Sequence, residues 1–214
     1  MGRVGIHFEP GCGSGMNFRV RSELLEIQPL DTVEEAHLAD ARAWVESGAP
    51  LFRVAKPATP PKHLVAYFAV VDGANILLVD HRNAQRWLPP GGHVELDEDP
   101  RTTVVRELKE ELGLVIDPEV VGPPLMVTVT ATVGVTSGHT DVSLWYVVEG
   151  DRSAVPEFDR DEFVQVRWFA FAEVPGERCE PHLSRFLTKL TRGQSDSDSE
   201  GPRSAPVSAP GSHE

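Results

Sequence analysis

Two β-rich segments joined by a short turn constrain this chain most. HLVAYFAVV and NILLVDHR are separated by Asp72-Gly73, a dipeptide typical of tight hairpin turns. The helical spacing of apolar residues found further upstream stops at residue 63. We therefore predict an antiparallel hairpin that opens a domain near residue 63.

The segments after the hairpin alternate between strands and helices. RWLPPGGHVEL reads as an irregular turn with short extended pieces. A helix is predicted from about Pro100 to Leu112, with Pro in its first turn and Gly113 as its C-terminal stop. Further strands are predicted at Leu125–Val133, Val142–Val148 and Val164–Phe169, and a last helix from about His182 to Leu190. The pattern predicts an α/β domain over residues 63–192.

The regions on either side of this domain have a different composition. Residues 1–62 form an N-terminal extension with one predicted helix, residues 31–48, opened by a capping-box pattern at Asp31 and Glu34. The first 20 or so residues are expected to be loose, and Pro57, Pro60 and Pro61 mark a linker. Residues 193–214 are rich in Ser, Pro and Gly, which predicts a disordered tail.

Composition narrows the classes of partner and compartment. The net charge of −13 repels polyanions, so duplex nucleic acid is not an expected partner. The longest apolar run, Leu64 to Val71, is too short to cross a membrane, and no secretion signal is expected. The two cysteines, Cys12 and Cys179, argue against a disulfide framework and against a structural zinc site. A cytoplasmic location is the resulting prediction.

The helix predicted after Pro100 concentrates negative charge on one face. At 100° per residue, Glu107, Glu110 and Glu111 share one arc, and an apolar arc containing Leu108 and Leu112 adjoins it. Crowded carboxylates repel each other, and a hard divalent cation such as Mg²⁺ would relieve that repulsion. The alternative from these residues alone is a solvated acidic surface.

The approach to this helix supports a ligand site. Pro89-Pro90-Gly91-Gly92 forces a turn and lets the backbone come close to a ligand. Glu98 can point back at the same site. Arg106 flanks the acidic face and can hold a carboxylate through a forked hydrogen bond.

Together these residues resemble the signature of the Nudix family. The matching positions, all at the family's spacing, are Gly92, Glu98, Arg106, Glu107, Leu108, Glu110, Glu111, Gly113 and Leu114. The resemblance covers residues 63–192 and implies an α/β/α sandwich with a mixed β-sheet, here with an N-terminal helical extension.

The resemblance also implies roles for the acidic residues. Glu107 and Glu111 look like direct ligands of Mg²⁺, or of Mn²⁺ in its place. By the same resemblance, Glu110 would be a third metal ligand or the general base. Gly92 would bind the metal through its backbone carbonyl oxygen.

Glu98 and Arg106 would orient the carboxylates, or Glu98 would bind a second ion. The implied reaction is attack of metal-activated water on phosphorus, which cleaves a diphosphate linkage.

Several residues outside the signature are further candidates. Glu162, beside Asp161 and just ahead of FVQVRWF, is a second candidate for the general base. Trp87 is expected on a loop beside the site, where it and Gly91 would contact substrate. Tyr67 is also a candidate for substrate contact, although core packing is favoured on its predicted strand.

His93 and His139 are candidates for contact with phosphate or metal, against the more usual role of a histidine as a satisfied polar residue.

The substrate class follows only by elimination. The secondary motifs of several Nudix branches are missing, including a Pro near Thr128 to Thr130, so a nucleoside triphosphate is the leading small-molecule substrate. One alternative is a nucleotide- or metabolite-binding regulatory module that keeps the fold. Another is an enzyme similar to isopentenyl diphosphate isomerase, which needs a catalytic cysteine inside the domain. The oligomeric state stays open, a homodimer included.

Overall fold

The structure, a computed structural model, describes residues 13–56, 59–132, 138–154 and 157–199. The sheet contains β1 (Lys62–Asp72), β2 (Asn75–His81), β3 (Arg86–Leu88), β4 (Gly91–His93), β5 (Met126–Ala131), β6 (Thr140–Glu149) and β7 (Phe163–Ala170). The helices are α1 (Gly13–Glu26), α2 (Thr32–Glu46), α3 (Pro100–Leu112) and α4 (Leu183–Ser199). Cys12, Pro57 and Val133, named in the predictions above, lie outside the described residues.

The sheet is mixed, as expected. Its strand order is β3-β2-β1-β6-β5, with β4 pairing to β1 and β7 to β2. β1 and β6 are parallel, and the other pairs are antiparallel. The predicted hairpin is confirmed: Asp72 pairs with Asn75, and Gly73 takes the positive φ of 55° that favours glycine in tight turns.

Helices cover both faces of the sheet, which confirms the α/β/α sandwich. One face packs on α1, α2 and α3 through residues such as Leu24, Leu38 and Leu108. The other face packs on α4 through Leu183, Phe186 and Leu190. Among the described residues, no helix is both long and apolar enough to cross a membrane.

Local signals determine the ends of α3. The Asp99 side chain accepts a hydrogen bond from the Arg101 N–H, and Pro100 occupies the first turn. Gly113 follows in the left-handed conformation, with φ of 65°. Val104 and Leu108 are fully buried against the sheet, so the adjoining acidic side of the helix has a fixed orientation.

The described part of the N-terminal extension contains two helices, where one was predicted. α2 was predicted and begins at Thr32 after the Asp31 cap. Of the first 20 or so residues, which were expected to be loose, residues 13–20 instead belong to α1, where Val20 and Leu24 are buried in the core, and residues 1–12 lie outside the described residues. That burial depends on contacts with distant parts of the chain, which local periodicity does not reveal.

The C-terminal helix is longer than predicted. α4 continues to Ser199, so the expectation of disorder from residue 193 is wrong for residues 193–199. A composition that cannot build a core does not prevent the last turns of a helix from continuing. Residues 200–214 lie outside the described residues.

α4 is joined to α2 through charged side chains. Lys189 pairs with Glu34, and both side chains are almost completely buried. Arg185 Nε donates to Asp31 Oδ2 at 2.8 Å. These contacts link helices on opposite faces of the sheet.

Candidate active site

The pairing of β4 with β1 brings the glycine turn against α3. Tyr67 pairs with Gly91, and Ala66 pairs with Gly92. The Gly91 N–H then donates a hydrogen bond to Glu111 Oε2 at 3.1 Å. The fold therefore places a carboxylate from α3 directly on the backbone of β4.

Neither glycine of this turn can carry a side chain without a rearrangement. A Cβ added to Gly92 would lie 1.8 Å from Glu107 Oε1. At Gly91, φ is 158°, and a Cβ would lie 2.4 Å from the Ala66 carbonyl oxygen. The close approach predicted from Pro-Pro-Gly-Gly is present, and it packs the Glu107 carboxylate against the chain at Gly92.

Arg106 organises the acidic face, as predicted. Its Nε and Nη2 donate to the two oxygens of Glu98 at 2.9 and 3.0 Å, which is the forked arrangement. Its Nη1 donates to Glu107 Oε1 at 2.7 Å and to Glu110 Oε2 at 3.2 Å. Nη2 also donates to the His93 carbonyl oxygen at 3.2 Å. One guanidinium therefore joins three carboxylates to the end of β4.

Glu98 is fixed from a second side. The Thr103 hydroxyl donates to Glu98 Oε2 at 2.7 Å, and the Glu95 N–H donates to the same oxygen at 3.0 Å. With the two from Arg106, the Glu98 carboxylate therefore accepts four hydrogen bonds. They fix it beside Arg106, so its position supports an orienting role.

Two carboxylates of the site are buried with too little positive charge around them. Burial raises the pKa of Glu111 well above its ordinary value, and the charges of Glu107 and Glu162 raise it further. Burial also raises the pKa of Glu107, although Arg106 opposes that shift. Among the described residues, no ion pair includes Glu111, which is 4% exposed. A divalent cation at this position would satisfy both carboxylates.

Glu162 lies beside this pair, immediately before β7. Its charge raises the pKa of both Glu107 and Glu111. Its Oε1 lies 3.3 Å from His81 Nε2, and its side chain is 43% exposed. The structure therefore brings together the signature acids and this second candidate for the base.

The aromatic candidates occupy the core more than the site. Trp87 lies on β3 rather than on a loop, and its buried ring contacts Phe169 edge-on with centroids 4.9 Å apart. The expectation that Trp87 lies on a loop is wrong, because Arg86–Leu88 forms β3 and pairs with β2. Tyr67 contacts Trp145 edge-on at 5.1 Å but also borders Gly91.

A cluster of histidines lies next to the signature. His93 and His139, both named from the sequence, meet His63 and Asp141, which were not. Burial and, after it, the positive charge of the nearby Arg53 together lower the pKa of His93 to about 3. In the sequence, two features pointed to this cluster: His63 at the start of a predicted strand, and the spacing His139-x-Asp141. Neither feature is specific for a site on its own.

Comparisons with known proteins agree with this geometry. A family model described as the NUDIX domain matches residues 61–190. A MutT-like protein of Streptomyces ambofaciens is 29% identical over 134 residues, which are 62% of this chain and 80% of that protein. A 33-residue stretch is 58% identical to the m7GpppN-mRNA hydrolase NUDT17 of Danio rerio, but it covers only 11% of that protein.

Solved structures show the same fold. The MutT protein of Methanosarcina mazei Go1 superposes with a TM-score of 0.52 at 18% identity, covering 63% of this chain and 96% of that one. A MutT/nudix family protein of Enterococcus faecalis gives a TM-score of 0.50 at 17% identity, covering 88% of this chain and 76% of that one. Because the family model matches more than half of the chain, the protein belongs to the NUDIX family and is a Nudix hydrolase.

Proposed function

We propose that this protein hydrolyses a diphosphate linkage in a nucleoside triphosphate, or in another nucleoside diphosphate derivative, with Mg²⁺ as cofactor. Mn²⁺ is the proposed substitute. The observation that carries the proposal is the pair of buried carboxylates, Glu107 and Glu111, which lie against the Gly91-Gly92 backbone. Paired acids of this kind are typical ligands for a hard cation that neutralises phosphate charge.

The proposed ligands are Glu107 and Glu111, with Glu110 and the Gly92 carbonyl completing the set. When bound, Mg²⁺ would screen the diphosphate charge and lower the pKa of a coordinated water. Arg106 is the proposed positioning residue, since it contacts Glu107 and Glu110 at the same time. Glu98 would act through Arg106, which it holds with both of its oxygens.

Glu162 is the favoured candidate for the general base. Arg106 already occupies an oxygen of the competing candidate, Glu110. The partner of Glu162 is instead the imidazole of His81, and the side chains of Glu162 and Glu110 are both open to water, at 43% and 60% exposed. Both candidates border the buried carboxylates, so the comparison of Glu162→Gln with Glu110→Gln separates them.

The substrate class rests on the missing secondary motifs and on charge. A surface with a net charge of −13 disfavours polyanions, whereas a small nucleotide needs only a locally neutralised site. Tyr67, beside Gly91, is the proposed substrate contact. We also propose a cytoplasmic location, because the chain has only two cysteines. One of them, Cys179, is a buried free thiol.

The test is hydrolysis of a nucleotide panel with Mg²⁺ by the parent and by Glu111→Gln. Loss of a metal ligand should lower turnover on the order of 10²–10⁴-fold, because bound metal contributes several kcal/mol to the transition state. Glu119→Gln, an exposed acid outside the site, is the control and should retain parental turnover. Parental rates in Glu111→Gln would refute the proposal.

The alternatives give different results in the same assay. A regulatory module would bind a nucleotide without turnover in the parent. An isomerase related to this fold needs a reactive cysteine, but Cys179 is 3% exposed, and burial raises its pKa to about 11. A thiol in that environment is a poor nucleophile at neutral pH, so Cys179 does not favour the isomerase.

A further inference from the structure

The histidine cluster beside the signature is assembled from three strands. His63 lies in β1, His93 ends β4, and Asp141 lies in β6, with His139 just before β6. The strand pairs fix this arrangement, because His63 pairs with Asp141 across the parallel β1–β6 ladder. One ligand atom from each of the four side chains lies within 4.8 Å of the others.

We propose that His63, His93, His139 and Asp141 bind a Zn²⁺ ion, at a site separate from the signature carboxylates. Asp141 Oδ1 lies 3.4 Å from His63 Nε2, 3.3 Å from His139 Nε2 and 4.0 Å from His93 Nε2. Zinc bonds of about 2.0–2.2 Å in a tetrahedron place neighbouring ligand atoms roughly 3.4 Å apart. Two of the three distances already have that value.

Hydrogen bonds outside the cluster orient the imidazoles for metal binding. His63 Nδ1 lies 2.8 Å from the Pro60 carbonyl oxygen, which only accepts, so Nδ1 carries the proton. The lone pair of His63 is therefore on Nε2, which faces the cluster. His139 Nδ1 lies 3.2 Å from the Thr132 hydroxyl, which donates its own hydrogen to the His139 carbonyl oxygen at 3.1 Å and so accepts from Nδ1. Metal-bound histidines usually have such a partner on the second nitrogen.

The cluster also contains polar atoms whose burial calls for a ligand. Within the described part of the chain, His63 Nε2 and Asp141 Oδ1 are buried and have no hydrogen-bond partner. The His63 side chain is 0% exposed and that of Asp141 is 15% exposed. Buried polar atoms without partners are costly, and a cation between them would satisfy both.

Binding requires one local exchange. Arg53 Nη1 donates to His93 Nε2 at 3.0 Å, so the guanidinium must leave that nitrogen before a metal ion takes its place. Arg53 is only half-buried, which gives it a route to solvent. The exchange would place the two positive charges of Zn²⁺ beside Asp141, where Arg53 contributes one.

The ligand set indicates a structural role for this ion. Four protein ligands close a tetrahedral zinc site and leave no position for a reacting water. The ion would fasten β4 to β1 and β6 just beyond Gly91 and Gly92. It would therefore stabilise the glycine turn that supports Glu107 and Glu111, without taking part in hydrolysis.

The test uses the full chain stripped with a chelator and then titrated with Co²⁺ in excess Mg²⁺. Tetrahedral Co²⁺ absorbs visible light far more strongly than octahedral Co²⁺, and the excess Mg²⁺ occupies the oxygen-rich signature site. We expect one equivalent of tetrahedral Co²⁺, displaced by Zn²⁺. His139→Gln and Asp141→Asn should abolish the signal, whereas Glu111→Gln should keep it.

A spectrum without tetrahedral bands in the folded parent would overturn the proposal. Parental bands in Asp141→Asn, or their loss in Glu111→Gln, would also overturn it. If the variants fail to fold, X-ray absorption of the zinc-loaded parent decides alone: three imidazoles and one oxygen around the ion support the site, and any other shell contradicts it. None of these measurements depends on nucleotide hydrolysis, so the result is independent of the proposed function.

Discussion

At the scale of single residues, the site depends on one atom that is missing from Gly92. The space that its Cβ would fill is taken by the Glu107 carboxylate, which also accepts a hydrogen bond from Arg106. A side chain at residue 92 would displace either the glycine turn or the Glu107 carboxylate. Either one separates Glu107 from Glu111.

Gly92→Ala should therefore reduce turnover while the protein stays folded. Displacing a group that positions a metal ligand typically costs about 10–100-fold in activity or metal affinity. Steady-state kinetics across a range of Mg²⁺ concentrations measures the effect, and the Mg²⁺ requirement should increase. Gly122→Ala is the matched control, because its Cβ meets no atom within 4 Å. Equal kinetics for the two variants would contradict the argument.

A second residue-scale effect concerns stability and pH. Glu180 is 7% exposed, and burial raises its pKa from 4.5 to about 7, against the opposing effect of the His182 N–H. Between these values the folded chain binds a proton that the unfolded chain has lost. The free energy of unfolding therefore falls as pH rises through that window.

Glu180→Gln should remove this pH dependence. Relative to the parent, the variant should gain on the order of 2 kcal/mol of stability between about pH 5 and pH 8. Urea denaturation at the two pH values gives the difference. Glu177→Gln, an exposed neighbour, should show no such change. A parent–variant difference that is the same at both pH values would show that Glu180 ionises normally.

At the scale of elements, the accuracy of sequence prediction depends on where the determining contacts lie. α3 was predicted with its correct limits because Pro100 and Gly113 act locally on its ends. α1 was missed because its evidence is tertiary: Glu23 on α1 accepts hydrogen bonds from Arg101 Nε at 2.7 Å and from the Tyr146 hydroxyl at 2.6 Å. Neither partner is near Glu23 in the sequence.

Glu23→Ala should destabilise the protein by about 2–4 kcal/mol, because the buried Tyr146 hydroxyl loses its acceptor and Arg101 loses its charged partner. Equilibrium unfolding in urea measures the loss. Glu26→Ala, on the exposed side of the same helix, is expected to be close to neutral. A similar cost for both variants would mean that helix content, and not the buried contact, explains the effect.

The same distinction applies to the site. The signature residues lie within one continuous stretch, so their spacing predicted Glu98, Arg106 and the acidic face of α3. The histidine cluster depends on the register of β1 against β6, a parallel pair with a long crossover, which periodicity cannot supply. The low cysteine count has no bearing on the proposed zinc site, because imidazole and carboxylate ligands need no cysteine.

At the scale of the whole molecule, the two faces of the sheet differ in what they carry. The face covered by α3 carries the signature acids, while the face covered by α4 contains Trp145, Phe186 and Trp87. The family match begins at residue 61, so α1 and α2 lie outside it. These helices nevertheless complete the core beneath α3, which makes them part of the folded unit and not a detachable appendage.

The contact between Lys189 and Glu34 joins residues 155 positions apart. If either α2 or α4 detached, the other would retain a buried charge with no counterpart, at a cost of roughly 3–5 kcal/mol. Partial opening of one helix alone is therefore disfavoured, and amide protons in both should exchange with solvent in a single concerted event. We therefore expect α2, which precedes the catalytic domain, and α4, which ends it, to unfold as one cooperative unit.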